Sequence, residues 1–254
     1  MKKIAFITGF LCLTLHVAQA QYGSWGTDYR FGFQASPTFS WIKSTDKLLE
    51  SAGTNTGLKL GVLGERYFAP NYAIMSGLGF GFNHGGTVQT GYQSGVYFPD
   101  SELSSSLLDT LPVNSKLHYR LTYIEVPVGL HLRGGTNENA KLKFFGEAPV
   151  ITFGFTSKAL GDIRGTDRQN SDDENIREDV AGVSMSWGFG GGIEYEIATS
   201  ATFVAGLFFQ QQFTDFTGSG SVAAKDARTG AITWKDEKAK TTMSFITLRM
   251  GIYF

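Results

Sequence analysis

The chain has 254 residues, 22 basic against 23 acidic side chains, 14% aromatics, 32 glycines and one cysteine. A near-neutral charge excludes the basic footprint of a nucleic-acid binder, and a lone cysteine excludes a disulfide framework. Beyond the first twenty residues no apolar run is long enough to cross a bilayer as a helix, so any crossing falls to strands.

Lys2 and Lys3 form a positive n-region, Ile4 to Val17 a short apolar stretch, and Ala18-Gln19-Ala20 a small-x-small cleavage site. Together these predict a secretory signal over 1–20 and one mature domain over 21–254. Gly9-Phe10-Leu11 does not form a lipoprotein box before Cys12. The mature chain therefore loses its cysteine together with Lys2 and Lys3, leaving 20 basic against 23 acidic residues.

The first mature strand, at 29–41, alternates with period two. Tyr29, Phe31, Phe33, Ala35, Pro37, Phe39 and Trp41 fall on one face, and Arg30, Gly32, Gln34, Ser36, Thr38 and Ser40 on the other. Further strands follow at 56–68, 72–82, 118–132, 142–155, 183–197, 202–214 and 242–254. The sixth repeats the pattern, with Val183, Met185, Trp187, Phe189, Ile193 and Tyr195 opposite Ser184, Ser186, Gly188, Gly190, Gly192 and Glu194. A soluble barrel would carry Lys, Glu and Asp outside. Here the polar face is mostly Gly and Ser, which suits a narrow lumen, so the aromatics are assigned to lipid. Pro37, Pro127 and Pro149 fall inside strands, and each predicts a bulge. A change of apolar parity between Tyr119-Leu121 and Val126-Val128-Leu130 predicts one in the fourth strand. Gln211 falls on the lipid side and is expected at the interface.

The connections after strands two, four and six are short, and those after one, three, five and seven (42–55, 83–117, 156–182, 215–241) are long. This asymmetry and the even strand count predict an all-β, eight-stranded antiparallel up-and-down transmembrane barrel, with short periplasmic turns and long extracellular loops. The last strand ends on Tyr253 and Phe254, an aromatic terminus of the kind read during barrel insertion. By parity Arg30, Lys59, Glu65, Glu125, Glu147, Glu194, Glu196 and Arg249 face the lumen. An eight-stranded interior is filled by side chains, so these charges are expected to pair as a structural network. In the second long loop Tyr92, Tyr97, Phe98, Leu107 and Leu108 mark either a lid packed over the mouth or a partner surface. The stretch 101–110 is expected to form a short amphipathic helix.

Chemistry-bearing constellations are sparse. His84 and His118 bracket the second long loop and, with Ser115 or Asp109, would be the basis of a rim-sited hydrolase. No third ligand stands at zinc spacing. Asp172-Asp173-Glu174 with Glu178-Asp179 lacks the ligand order of a calcium loop and reads as a solvated acidic loop. Gly188 to Gly192 lies in an alternating strand with no helix after it, which excludes a dinucleotide site. No catalytic residue, cofactor or metal is assigned.

Several blocks carry a resemblance. Phe31-Gly32-Phe33 with Pro37, the Y-I-E-V-P-V-G-L-H-L run from Tyr123, W-G-F-G-G-G-I-E-Y from Trp187 and the terminal L-R-M-G-I-Y-F resemble the PorT-like outer-membrane β-barrel family of Bacteroidota. That resemblance implies a Gram-negative outer-membrane location, reached through the cleaved signal. It also implies contact with outer-membrane lipid and lipopolysaccharide, with the barrel-insertion machinery and with other envelope proteins. The expected role is a non-catalytic structural or interaction module with a filled lumen. A component of a type IX-like secretion apparatus is the alternative the family implies, and a rim hydrolase is a third.

Overall fold

The structure, a computed structural model, describes residues 29–45, 49–91, 94–134, 140–165, 170–217, 221–225, 232–236 and 240–254. The expected signal at 1–20 and Tyr92 lie outside these residues. The described strands are β1 (Tyr29–Ser44), β2 (Leu49–Ala69), β3 (Tyr72–Thr90), β4 (Gly95–Val96), β5 (Lys116–Gly134), β6 (Leu142–Arg164), β7 (Asn170–Asn175), β8 (Val183–Ala198), β9 (Ala201–Gln212), β10 (Ser221–Lys225), β11 (Ile232–Asp236) and β12 (Thr241–Tyr253).

Eight of them close a ring of antiparallel pairs in the order β1, β2, β3, β5, β6, β8, β9, β12 and back to β1. One row of paired residues runs Phe31, Gly64, Ser76, Val128, Ile151, Trp187, Gln211, Ser244 and returns to β1 at Trp41. The return lands ten residues beyond its start. An eight-stranded barrel with that stagger has strands tilted by about 40° and an interior that side chains fill. Closure leaves no edge in the bilayer, where an unpaired backbone group has no water to turn to. No helix among the described residues is long and apolar enough to cross a membrane.

Phe33, Phe144 and Phe254 are 62%, 63% and 60% exposed, on the outer wall. Tyr29, Phe31, Phe68, Tyr72, Tyr195 and Phe203 join them near the end that carries the short turns and Phe254. Trp187, Phe189 and Phe209 form a contiguous ring cluster toward the other end, with Trp187 and Phe189 stacked at 6.0 Å. Aliphatic side chains such as Leu60, Val62, Leu130, Leu207 and Ile252 lie between. This is a lipid-facing belt between two aromatic girdles. The glycines of β8 serve the other face. A Cβ on Gly190 would stand 2.3 Å from the Phe208 ring, so Gly190 makes the slot in which that ring lies.

The strands overrun their expected ends on the long-loop side. β2 begins at Leu49, β3 continues to Thr90 and β6 to Arg164. Above the bilayer the apolar alternation fades, so sequence periodicity stops marking the strand, but the backbone still needs partners and the ladder continues. β7 extends β6 outward, while β4, β10 and β11 form a separate small sheet. The segment 101–110 is not an amphipathic helix. It holds a single 3-10 turn, Ser106–Leu108, because the chain here is pinned to neighbouring loops.

The bulges also differ from expectation. Ala148 and Pro149 do form one, facing a single residue on each neighbour. Pro37 and Pro127 do not: pairing lapses beside each on one edge, and the register resumes unchanged. β5 keeps one parity throughout, with Leu117, Tyr119, Leu121, Tyr123 and Glu125 all inward. The apparent slip in its sequence arises because the interior itself changes from charged to apolar along the strand. The true bulges flank Thr122, at Phe82–Asn83 in β3 and at Ser157 in β6.

Candidate functional site

The lumen is built in three levels. At the end carrying Tyr29 and Phe254, Arg30 Nη1 lies 3.2 Å from Glu194 and 3.5 Å from Glu65, and donates to the Tyr67 hydroxyl at 3.0 Å. Tyr67 donates onward to Glu65 at 2.8 Å. Arg133 Nε reaches Glu194 at 2.8 Å, and Arg249 Nη1 donates to Glu147 at 2.6 Å. His131 sits at the centre, 3.3 Å from Glu147 through Nδ1 and 3.3 Å from Glu194 through Nε2. The guanidiniums also lie over rings, Arg133 over Tyr67 at 4.6 Å and Arg249 over Phe208 at 3.7 Å. These parts come from facing strands whose inward positions alternate with lipid-facing ones.

Midway along the barrel Lys59 Nζ lies 2.9 Å from Glu125 and donates to Gln210 at 2.9 Å. Between this pair and Arg249 is a cavity of about 50 Å³, lined by Gln34, Lys59, Glu125, Thr152, Gln210, Thr247 and Arg249. Pro127, Val150 and Phe208 complete its wall, and a space of that size with polar groups along one side has room for roughly three or four waters. His84 lies above it, fully buried, 3.9 Å from Glu125 and 5.2 Å from the Phe245 ring.

The third level is apolar. Tyr97, Phe98, Leu108 and Leu111 from the loop after β3, Ile176 and Val180 from the loop after β6, and Phe216 from the loop after β9 pack onto Leu121, Tyr119 and Ile163 of the wall. Tyr119 meets the Phe216 ring edge-on at 5.6 Å. Polar contacts hold the loops down. Glu174 accepts from the Ser104 and Ser171 hydroxyls and from the Ser104 amide at 3.0 Å, and Asp179 accepts from the Asp100 amide at 3.0 Å. Burial pushes the Glu174 carboxyl up, but these donors outweigh it and hold the group below the usual carboxylate range.

The structure therefore places Arg30, Lys59, Glu65, Glu125, Glu147, Glu194 and Arg249 inside the wall. Glu196 is a correction: it is exposed, because it stands at the end of β8 beside the short turn and past the filled interior. Parity reasoning overlooked Tyr67, His131 and Arg133, although they share the inward parity of Glu65 and Glu125. Tyr253 of the terminal signature is inward, with Arg30 over its ring at 5.0 Å. Phe254 points out and bonds to Phe31 through both backbone groups. In the second long loop Tyr97, Phe98 and Leu108 belong to the lid, whereas Leu107 is exposed.

His84 and His118 share no site. Asn83, at φ 57°, forms the bulge that turns His84 inward, while His118 keeps the outward parity of β5 and bonds to Thr87 at 2.8 Å. Ser115 is buried and donates to the Pro112 carbonyl, away from both. The acidic loop is likewise distributed, Asp172 to Arg164, Asp173 to Arg120 and Glu174 to the serines. Glu65, His131 and Glu194 each bring one ligand atom within 4.8 Å of the others. The three carboxylates at this level already face three guanidiniums, so a dication would add two uncompensated charges to the interior.

A closed, eight-stranded transmembrane barrel with a girdled outer wall and a filled lumen defines the class. The model of the outer membrane protein beta-barrel domain family matches residues 18–173, and the chain belongs to that family. Its members are barrels of an outer membrane, which is the location this implies for the chain. No curated relative matches. Among solved structures, neisserial surface protein A of Neisseria is 12% identical, with 88% of this chain and 95% of that one covered at a TM-score of 0.41. OprG of Pseudomonas aeruginosa is 12% identical over 90% and 96%, at 0.43. The outer-membrane protease OmpT of Escherichia coli is 9% identical over 93% and 99%, at 0.40.

Proposed function

We propose that this barrel is a non-conducting, non-catalytic structural or interaction module of a Gram-negative outer membrane, of the PorT-like kind, exported through a signal at 1–20. The observation that supports this reading is a lumen filled along its length: an ionic level, a second ion pair beside a small cavity, and an apolar lid. What remains for interaction is the outer surface: lipid and lipopolysaccharide around the wall, the insertion machinery at the terminal Tyr253-Phe254, and other envelope proteins at the loops and turns.

The test is purification of the full chain from outer membranes after mild crosslinking. Recovery of the barrel alone or with envelope proteins supports the module. A stoichiometric partner from a secretion complex would instead make it part of an export apparatus. Lipid or peptide hydrolysis by the purified barrel would overturn the non-catalytic reading.

A further inference from the structure

The cavity of about 50 Å³ midway along the lumen is lined by acceptors that are engaged and donors that are not. The Glu125 carboxylate and the Gln210 side-chain carbonyl both hold Lys59 Nζ at 2.9 Å. Lys59 still keeps a third N–H. Arg249 uses Nη1 on Glu147 and makes no other hydrogen bond among the described residues. The Gln34 amide and the buried Thr152 hydroxyl have no hydrogen-bond partner among those residues, and the Thr247 hydroxyl has only that of Thr38, at 3.2 Å. Donors from β1, β2, β6 and β12 thus face one enclosed space.

Charge points the same way. His131 has a carboxylate oxygen 3.3 Å from each ring nitrogen, Glu147 at Nδ1 and Glu194 at Nε2, with Glu65 3.7 Å from Nδ1. A neutral ring would set a lone pair against one of these oxygens, so the ring is an imidazolium. Arg30, Arg133 and Arg249 already balance the three carboxylates, and Lys59 balances Glu125. Among the described residues the lumen is left with one positive charge in excess. That excess reaches the cavity through Glu147, because His131 and Arg249 share this carboxylate and it neutralises neither fully. An enclosed, uncompensated charge is costly. Water in the cavity solvates it, whereas a counter-ion cancels it.

We infer that this cavity binds one small monovalent anion of the halide class, held by Arg249, Lys59, the Gln34 amide and the Thr152 and Thr247 hydroxyls. This rests on the filled-lumen reading above and adds a ligand to it. Size and charge set the class. One excess charge calls for a single negative charge, which excludes divalent phosphate and sulfate, and a space for roughly three or four waters is small for any oxyanion. Pro127, Val150 and Phe208 on the remaining wall offer no hydrogen bond, which a weakly hydrated halide tolerates.

The test unfolds the micelle-folded full chain in urea at constant ionic strength, with sodium bromide replacing sodium gluconate, whose anion is too large for the cavity. The ratio of folded to unfolded barrel should rise about tenfold for each tenfold rise in bromide above its dissociation constant, the linkage of one bound anion. His131→Gln removes the excess charge without touching the cavity and should abolish the response. Thr152→Val keeps the shape of the wall and should move the onset to about tenfold higher bromide, the loss of one hydrogen bond to a charged group. Glu196→Gln, outside the lumen, should respond as the wild type does. Heat-modifiable gel mobility shows which variants fold, and Thr152→Val decides alone if His131→Gln does not. A flat response of the wild type, or one that Thr152→Val shares unchanged, would overturn the site. Bilayer recordings separate the two ideas: current steps through the wild type sink the filled lumen and the enclosed site with it, whereas a silent barrel with no bromide response sinks the site alone.

Discussion

Glu147 is fully enclosed and is held by Arg249 at 2.6 Å and His131 at 3.3 Å. Removing one partner of such a pair leaves a buried charge unpaired, which costs about 3–5 kcal/mol. Arg249→Ala should therefore lower the unfolding free energy of the micelle-folded barrel, read from a urea titration, by that much. Glu196→Ala, at an exposed strand end, should stay within about 0.5 kcal/mol. An equal response from both would refute the assignment of the network to the interior. Gly190 gives a steric counterpart. Gly190→Val drives two methyls into the Phe208 ring, which already stands 2.3 Å from a Cβ, and overpacking of this kind costs about 1–3 kcal/mol. The network was partly legible in the sequence, since inward parity alone marked seven of its residues. Tyr67 and Tyr253 share the inward parity of Glu65 and Arg249, so parity places them as well; what the sequence leaves unsaid is which guanidinium each ring meets, because that is a relation between strands.

At the scale of elements, the loops act as a lid fastened by carboxylates. Glu174 is the clearest case outside the bilayer. Because its folded-state value lies below its ordinary value, it stabilises the lid fully above about pH 4.3, and this contribution is lost as pH falls through the lowered value. The hydrogen-exchange protection of residues 94–111 and 170–176, measured against the intrinsic rate at each pH, should therefore fall in acid below about pH 4. Glu174→Gln should show faster exchange already at neutral pH, with a flatter pH response. Exchange that is insensitive to both would remove the latch. The lid itself was an open choice in the sequence, where apolar residues in a long loop serve a partner and a barrel mouth equally well. Burial of Tyr97, Phe98 and Leu111 decides it, since all three belong to one apolar cluster with strand residues and with Ile176, Val180 and Phe216 of two other loops. The bulges were the least legible elements. Proline pointed to three, but only Ala148–Pro149 obeyed, while Asn83 and Ser157 carry no proline at all.

For the whole molecule, the consequence of three stacked levels is a barrel that is sealed more than once. Planar bilayers containing the purified chain should show no current steps. Deleting the lid residues 95–111 should leave them silent, because the ion pairs around Lys59 and His131 still occupy the lumen below. Steps in the deletion variant would mean that the lid alone closes the pore. Steps in the wild type would overturn the filled-lumen reading and the proposed function with it.

The amino-acid sequence by itself determined the architecture: eight amphipathic strands, alternating loop lengths and an aromatic outer face. It could do so because period two, bilayer thickness and backbone hydrogen bonding leave few solutions. Tertiary structure decided which polar groups meet. His84 turned inward and parted from His118 through one left-handed residue, and His131 became the centre of three carboxylates from three other strands. Such meetings depend on the ten-residue stagger of the closed ring and on single-residue bulges. Neither leaves a trace in the periodicity of any one strand, because each is a relation between strands.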